Sequence, residues 1–110
     1  MNWMDKLFGV KKPIIAMCHL RAMPGDPFFD KAGGMESVIE AARNDLHALQ
    51  DGGVDGVMFS NEFSMPYLTK VEAITQASMA YVIGSIKEEI RVPFGVNCLW
   101  DPIASLNVAA

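Results

Sequence analysis

Three short apolar runs, at residues 13–19, 54–60 and 92–99, recur about 40 residues apart. Each closes on or runs into a polar residue (His19, Asn61, Asn97) and is followed by a loop and a helical pattern. Runs of this length bounded by Pro, Gly and polar residues read as strands buried on both faces. The order is β-α-β-α-β-α, with helices long enough for right-handed crossovers, so the strands lie parallel. The fold class is therefore α/β, and the layout is that of the opening βα units of a parallel barrel with outer helices. In such barrels the site forms at the C-terminal ends of the strands. The pattern breaks off inside the third unit, so the expectation is one partial domain, residues 1–110, incomplete at its C-terminus. An open doubly wound sheet is the main rival. The first loop carries no G-x-G-x-x-G, and no G-x-x-x-x-G-K-[ST] occurs, so neither a dinucleotide fold nor a P-loop is supported.

The connecting segments fit the same plan. Met35, Val38, Ile39, Ala42, Leu46 and Leu49 repeat at helical spacing, and Gly52-Gly53 ends that helix. Thr69 and Glu72 have capping-box spacing and are expected to open the second helix, whose apolar face runs from Val71 to Ile90. Gly84 inside it would suit a close approach to the sheet. Asp101-Pro102 is a favoured pair at the start of a helix. Residues 2–8 put Trp3, Met4, Leu7 and Phe8 on one helical face, expected to cap the floor of the domain. Residues 20–34 form a long loop rich in turn residues. Long loops in compact domains tend to be functional.

Composition narrows the function classes. The net charge is −4 and the nine basic residues are scattered, which argues against a nucleic-acid partner. No apolar run approaches the ~20 residues of a membrane span, and the run after Lys11-Lys12 is too short for a signal peptide. Stable membrane insertion is not expected, and the cytoplasm is the default location. Cys18 and Cys98 fall in the first and third strands, roughly 9–10 Å apart if those strands flank the second, too far for a disulfide. No Cys/His cluster has metal-ligand spacing, so no metal site is read. No motif identifies a cofactor. The free edges of the first and third strands predict self-association.

Strand alternation puts Ile15, Met17 and His19 on one face and Ala16 and Cys18 on the other; Gly95 and Asn97 oppose Val96 and Cys98 in the same way. His19, Asn61 and Asn97 are thereby expected on one mouth. His19 is the main catalytic candidate, because an imidazole serves as acid, base or ligand; the competing reading is a histidine that bonds a loop carbonyl. Glu62 is the second, as a base or metal ligand, against the reading of a solvated loop charge. Asn61 and Asn97 are candidates for substrate hydroxyls or carbonyls, or for satisfying strand ends. Arg21 suits a phosphate or carboxylate, and Asp101 faces a strong alternative as a helix cap. Trp100 suits stacking on a ligand or packing under a neighbour. In the first loop, Asp26 and Asp30 are weighed as flanking a substrate or metal against the reading of turn and surface residues, Phe28 and Phe29 as a lid or a packing clasp, and His47 is read as a surface residue.

Pro13-Ile14-Ile15-Ala16-Met17-Cys18-His19-Leu20 with Met23-Pro24-Gly25 resembles the start of the BtpA/SgcQ family. So do Gly52-Gly53-Val54-Asp55-Gly56-Val57, Asn61 with Pro66, and Val92-Pro93-Phe94-Gly95-Val96-Asn97. The ordered set covers nearly the whole chain. The resemblance implies a TIM-type (β/α)8 barrel of which the first three units are present. It also implies an activity that is not settled. One branch is associated with photosystem I biogenesis; others are linked to sugar metabolism or carry a nucleoside-triphosphatase label. Ser60 and Glu62 around Asn61, and Trp100-Asp101-Pro102 after the third strand, depart from the photosynthetic pattern and look like the SgcQ side. The polar mouth and the long first loop, together with the fold that the resemblance implies, lead to the expectation of an enzyme of the full-length barrel acting on a small phosphorylated, sugar-like metabolite. The alternatives are a non-catalytic biogenesis or regulatory factor and a nucleoside triphosphatase, with this segment inactive alone. The usual barrel phosphate site follows strands seven and eight, outside these residues.

Overall fold

The structure, a computed structural model, describes residues 2–110. A short helix α1 (Trp3–Phe8) precedes strand β1 (Ile15–His19), helix α2 (Gly34–Asp51), strand β2 (Gly56–Ser60), helix α3 (Ala73–Ile86), strand β3 (Phe94–Asn97) and helix α4 (Pro102–Ala109). The strands form one parallel sheet in the order β1-β2-β3. Each crossover returns to the next strand in line, so there is no reversal of direction. The helices consequently pack on one face, with α2 against β1, α4 against β3, and α3 between its two neighbours. A doubly wound sheet would reverse and carry helices on both faces. The arrangement is that of consecutive units of a parallel α/β barrel.

The core lies between the sheet and these helices. Cys18, Val57 and Phe59 point into it and meet Val38, Ala42 and Leu46 of α2, Met79, Val82 and Ile86 of α3, and Ala104 of α4. Full burial of each large apolar side chain is worth about 1.5–3 kcal/mol, so this layer holds the fold together.

The floor is built from α1 and the strand entrances. Asn2 Oδ1 accepts from the Asp5 N–H (2.9 Å), and Gly9, at φ 74°, closes the helix. The ring of Phe8 comes so near Gly56 that a Cβ there would lie 2.9 Å from Phe8 Cε1. A side chain at this position would require the Phe8 ring to shift. Asp55 clamps the entrance of β1: its carboxylate accepts from the Ile14 N–H (2.8 Å), and its own N–H donates to the Ile14 carbonyl (2.9 Å). The Gly-Gly-Val-Asp-Gly segment therefore serves the floor.

Three expectations need correction. The strands are shorter than the apolar runs, because residues 54–55 and 92–93 still belong to turns or to clamps at the floor. The Thr69–Glu72 capping box does not form, and α3 starts at Ala73 with no side-chain cap. The Val71 N–H is instead taken by Asp101 Oδ2 (3.0 Å), which draws the segment out toward α4. Gly84 makes no close approach to the sheet: a Cβ added to it would meet nothing within 4 Å, so packing does not explain this glycine. After Ile86 the helix tightens into a 3₁₀ turn, Lys87–Glu89, before Ile90. Glu89 ties that turn to α2 through Arg43 (3.0 Å) and His47 (2.6 Å).

Candidate functional site

The pairing register stacks the side chains of the other sheet face into rows. Ile15 pairs with Gly56; Met17 with Met58 and Met58 with Gly95; His19 with Ser60 and Ser60 with Asn97. Paired residues of adjacent parallel strands point the same way. The two lower rows are apolar, and the third, at the C-terminal strand ends, is wholly polar. It spans two strand spacings, roughly 9–10 Å.

The row contains two of the expected mouth residues, His19 and Asn97, but Ser60 stands between them in place of Asn61. Asn61 lies one residue further on and turns to the opposite side. It is buried, its Oδ1 accepts from the Leu99 N–H (2.6 Å), and its Nδ2 donates to the Leu99 carbonyl (3.4 Å). Both ends of the amide hold the backbone of one residue in the β3–α4 loop. The physical reason is alternation: a row at position 60 excludes position 61.

His19 is exposed, with its ring edge-on to Phe63 at 6.4 Å between centroids, and has no hydrogen-bond partner among the described residues. The reading of a histidine that bonds a loop carbonyl does not fit this geometry. Asn97 is half-buried, and its amide is likewise without a partner among the described residues. Ser60 is fully buried, and its Oγ is the buried side-chain polar atom left without a partner among the described residues.

The remaining candidates fall into two groups. Asp101 is a latch: Oδ1 accepts from the Ala104 N–H and Oδ2 from the Val71 N–H, both at 3.0 Å. The Ala104 N–H, followed by that of Val71, holds its carboxyl below the usual carboxylate range against the opposing effect of burial. With both oxygens engaged, Asp101 caps α4 and ties it to the lead-in of α3. Asp26 joins the first two loops, accepting from the Met23 N–H (2.7 Å) and the Ser64 hydroxyl (2.5 Å). Asp30 caps the approach to α2 through the Ala32 and Gly33 N–H groups.

The side chains of Arg21 and Glu62 make no such bonds among the described residues. Arg21 is exposed and lines a cavity of about 370 Å³ with Phe28, Asp30, Ser37 and Phe63. Phe63 thus borders both this cavity and His19. Glu62 is half-buried beside Tyr67, whose hydroxyl donates to the Glu62 carbonyl oxygen (2.6 Å). Burial, and next the Glu62 carboxylate, push the Tyr67 phenol above its ordinary value. Tyr67 in turn lies 5.2 Å from Trp100, ring to ring.

A larger open groove of about 740 Å³ follows the free edge of β3, lined by Met17, Met58, Asn97, Trp100 and Leu106 among others. Asn97 connects it to the polar row. The two cysteines lie outside the site as unpaired, buried thiols. Burial pushes Cys18 up to about 12 and Cys98 up to about 11, which leaves both as inert thiols at neutral pH. Among the described residues no group of three His, Cys, Asp or Glu side chains is placed to hold a metal ion, and no helix is long and apolar enough to cross a membrane.

Sequence comparison adds a family to this geometry. The model of the BtpA family matches residues 10–110. The chain is 61% identical over 109 residues to the Escherichia coli "Putative sgc region protein SgcQ", covering 99% of this chain and 41% of that protein. It is 39% identical to an uncharacterized protein of Thermococcus kodakarensis (90% and 38% covered) and 29% identical to the photosystem I biogenesis protein BtpA of Synechocystis (94% and 36% covered). The chain thus spans 36–41% of the length of these relatives. No solved structure matches it significantly.

Proposed function

The chain belongs to the BtpA family, and on that premise we propose that it forms the first three units of a TIM-type barrel enzyme acting on a small phosphorylated, sugar-like metabolite. The observation that carries this reading is the polar row at the strand ends, in which His19 and Asn97 face one mouth without protein partners among the described residues. Imidazoles exchange protons near neutral pH, so His19 is assigned the acid–base role. Asn97 is assigned to a ligand hydroxyl or carbonyl. Arg21, beside its 370 Å³ cavity, is assigned to the anionic end of the ligand, since a guanidinium suits a phosphate. A cavity of that size lies within the range of small-molecule sites. Glu62, on the loop after β2, is the assigned second carboxylate. The activity belongs to the whole barrel, and its cofactor is left open.

Titration of the chain with ribose 5-phosphate and glucose 6-phosphate, read by calorimetry, tests this. Binding that weakens about tenfold in both His19→Ala and Arg21→Ala is expected, equivalent to roughly 1.4 kcal/mol each. Unchanged binding in both variants removes these residues from the site.

A second reading, a non-catalytic assembly factor, is favoured by the name of the Synechocystis relative, a photosystem I biogenesis protein, and by the apolar lower rows of the open sheet face. It predicts no response to any metabolite and retention on a protein complex through that face. The absence of a P-loop motif disfavours a nucleoside triphosphatase of that type. A cytoplasmic location is part of the proposal.

A further inference from the structure

We propose that Ser60 is the middle ligand-binding residue of the mouth and that it takes a hydroxyl group of the ligand. This rests on the metabolite-binding reading above and narrows its ligand to one bearing several hydroxyls.

The register is the first support. Ser60 pairs with His19 on one side and Asn97 on the other, so its side chain leaves the sheet between theirs. Met58, two residues earlier on the same face, pairs with Met17 on one side and Gly95 on the other. Val57 and Phe59, on the alternate positions, are buried in the core.

The second support is the state of the hydroxyl. A buried hydroxyl without a partner is destabilising, because it gives up its bonds to water and gains nothing in return. The other buried polar side chains around it are satisfied. Asn61 holds Leu99, Ser64 holds Asp26, and Asp101 holds Val71 and Ala104. The one left unpaired among the described residues stands in the row of the candidate site. A hydroxyl both donates and accepts, so its natural complement is another hydroxyl. With an imidazole and an amide one strand spacing to either side, the row suits a ligand that carries hydroxyls along a chain or ring.

Beside the strand end, the turn that begins at Asn61 is closed by the Ser64 N–H donating to the Asn61 carbonyl (3.0 Å), and Phe63 lies edge-on to His19. Ser60 is fully buried, so a ligand reaches its hydroxyl only when neighbouring side chains at the strand end move aside.

The test compares the wild-type chain with Ser60→Ala, using calorimetric titration with ribose 5-phosphate and with inorganic phosphate, and thermal melting of both proteins. Ser60→Ala is expected to weaken ribose 5-phosphate binding about tenfold or more. Phosphate binding and the melting temperature are expected to hold or, for the latter, rise, since an unpaired buried hydroxyl is removed. Equal affinity of both proteins for ribose 5-phosphate overturns the Ser60 assignment and leaves the metabolite reading standing. A wild-type chain that binds neither probe overturns both. A variant that melts lower or fails to fold shows that the hydroxyl has a structural partner, and also overturns the assignment.

Discussion

The two faces of the three-stranded sheet are made by the same strands and differ in almost every respect. The helix-facing side presents Cys18, Val57 and Phe59, all buried. The other side presents Ile15 and Met17, 48% and 44% exposed, with Met58 beside them and the polar row above. Parallel sheets are ordinarily covered on both faces. The closed face accounts for the stability of this segment, and the open face carries the candidate site. In a closed barrel the same open face lines the interior, where apolar layers fill the middle and polar residues stand at the mouth.

The most severe test of this contrast cuts one side chain from each face of β2. Phe59→Ala is expected to cost about 3–5 kcal/mol in chemical denaturation. Met58→Ala, one residue earlier, is expected to cost about 1 kcal/mol. Equal losses would mean that the open face is covered in solution.

The next contrast lies at the strand ends. Asn61→Ala leaves the partly buried Leu99 N–H and carbonyl of the β3–α4 loop without their partner and is expected to cost about 1–3 kcal/mol. His19→Ala is expected to stay within about 0.5 kcal/mol, as for an exposed residue with no partner. If thermal melts reverse that order, Asn61 belongs to the mouth and His19 to the framework.

Acid isolates the role of Asp101. Its folded-state pKa is depressed, chiefly by the Ala104 N–H, so the unfolded chain binds its proton at a higher pH than the folded one. The stability it lends is complete above the unfolded value near ~3.9 and is lost as pH falls through the lower folded value. Asp101→Asn should flatten that part of the acid unfolding curve. An unchanged slope would show that the latch is not a carboxylate contact. The smallest effect on folding is expected from Met17→Glu on the open face, which should nevertheless reduce self-association in analytical ultracentrifugation. Undiminished association would place the contact elsewhere.

Much of the fold is legible in the sequence because its signals are local. The helical repeat from Met35 to Leu49 appears as α2, the Asp101-Pro102 pair opens α4, and Gly9 and Gly53 take positive φ where helices end. His19 and Asn97 are legible as strand-end residues for the same reason. Ser60 is not, because serine at a strand end has no pattern of its own. The start of α3 departs from its capping signal because the Val71 N–H is claimed by a carboxylate thirty residues away.

Short windows of residues suffice for the α/β class, the order of units, the alternation of side chains along each strand and the family to which the chain belongs. Those properties depend on periodicity, turn chemistry and motif spacing. Three others emerge once the strands are paired: which strand-end residues share a row, the clamp of Asn61 on Leu99 across 38 residues, and the unpaired Ser60 between His19 and Asn97. The register of parallel pairing is set by packing between strands about 40 residues apart, and a shift of one residue exchanges every side chain between the faces.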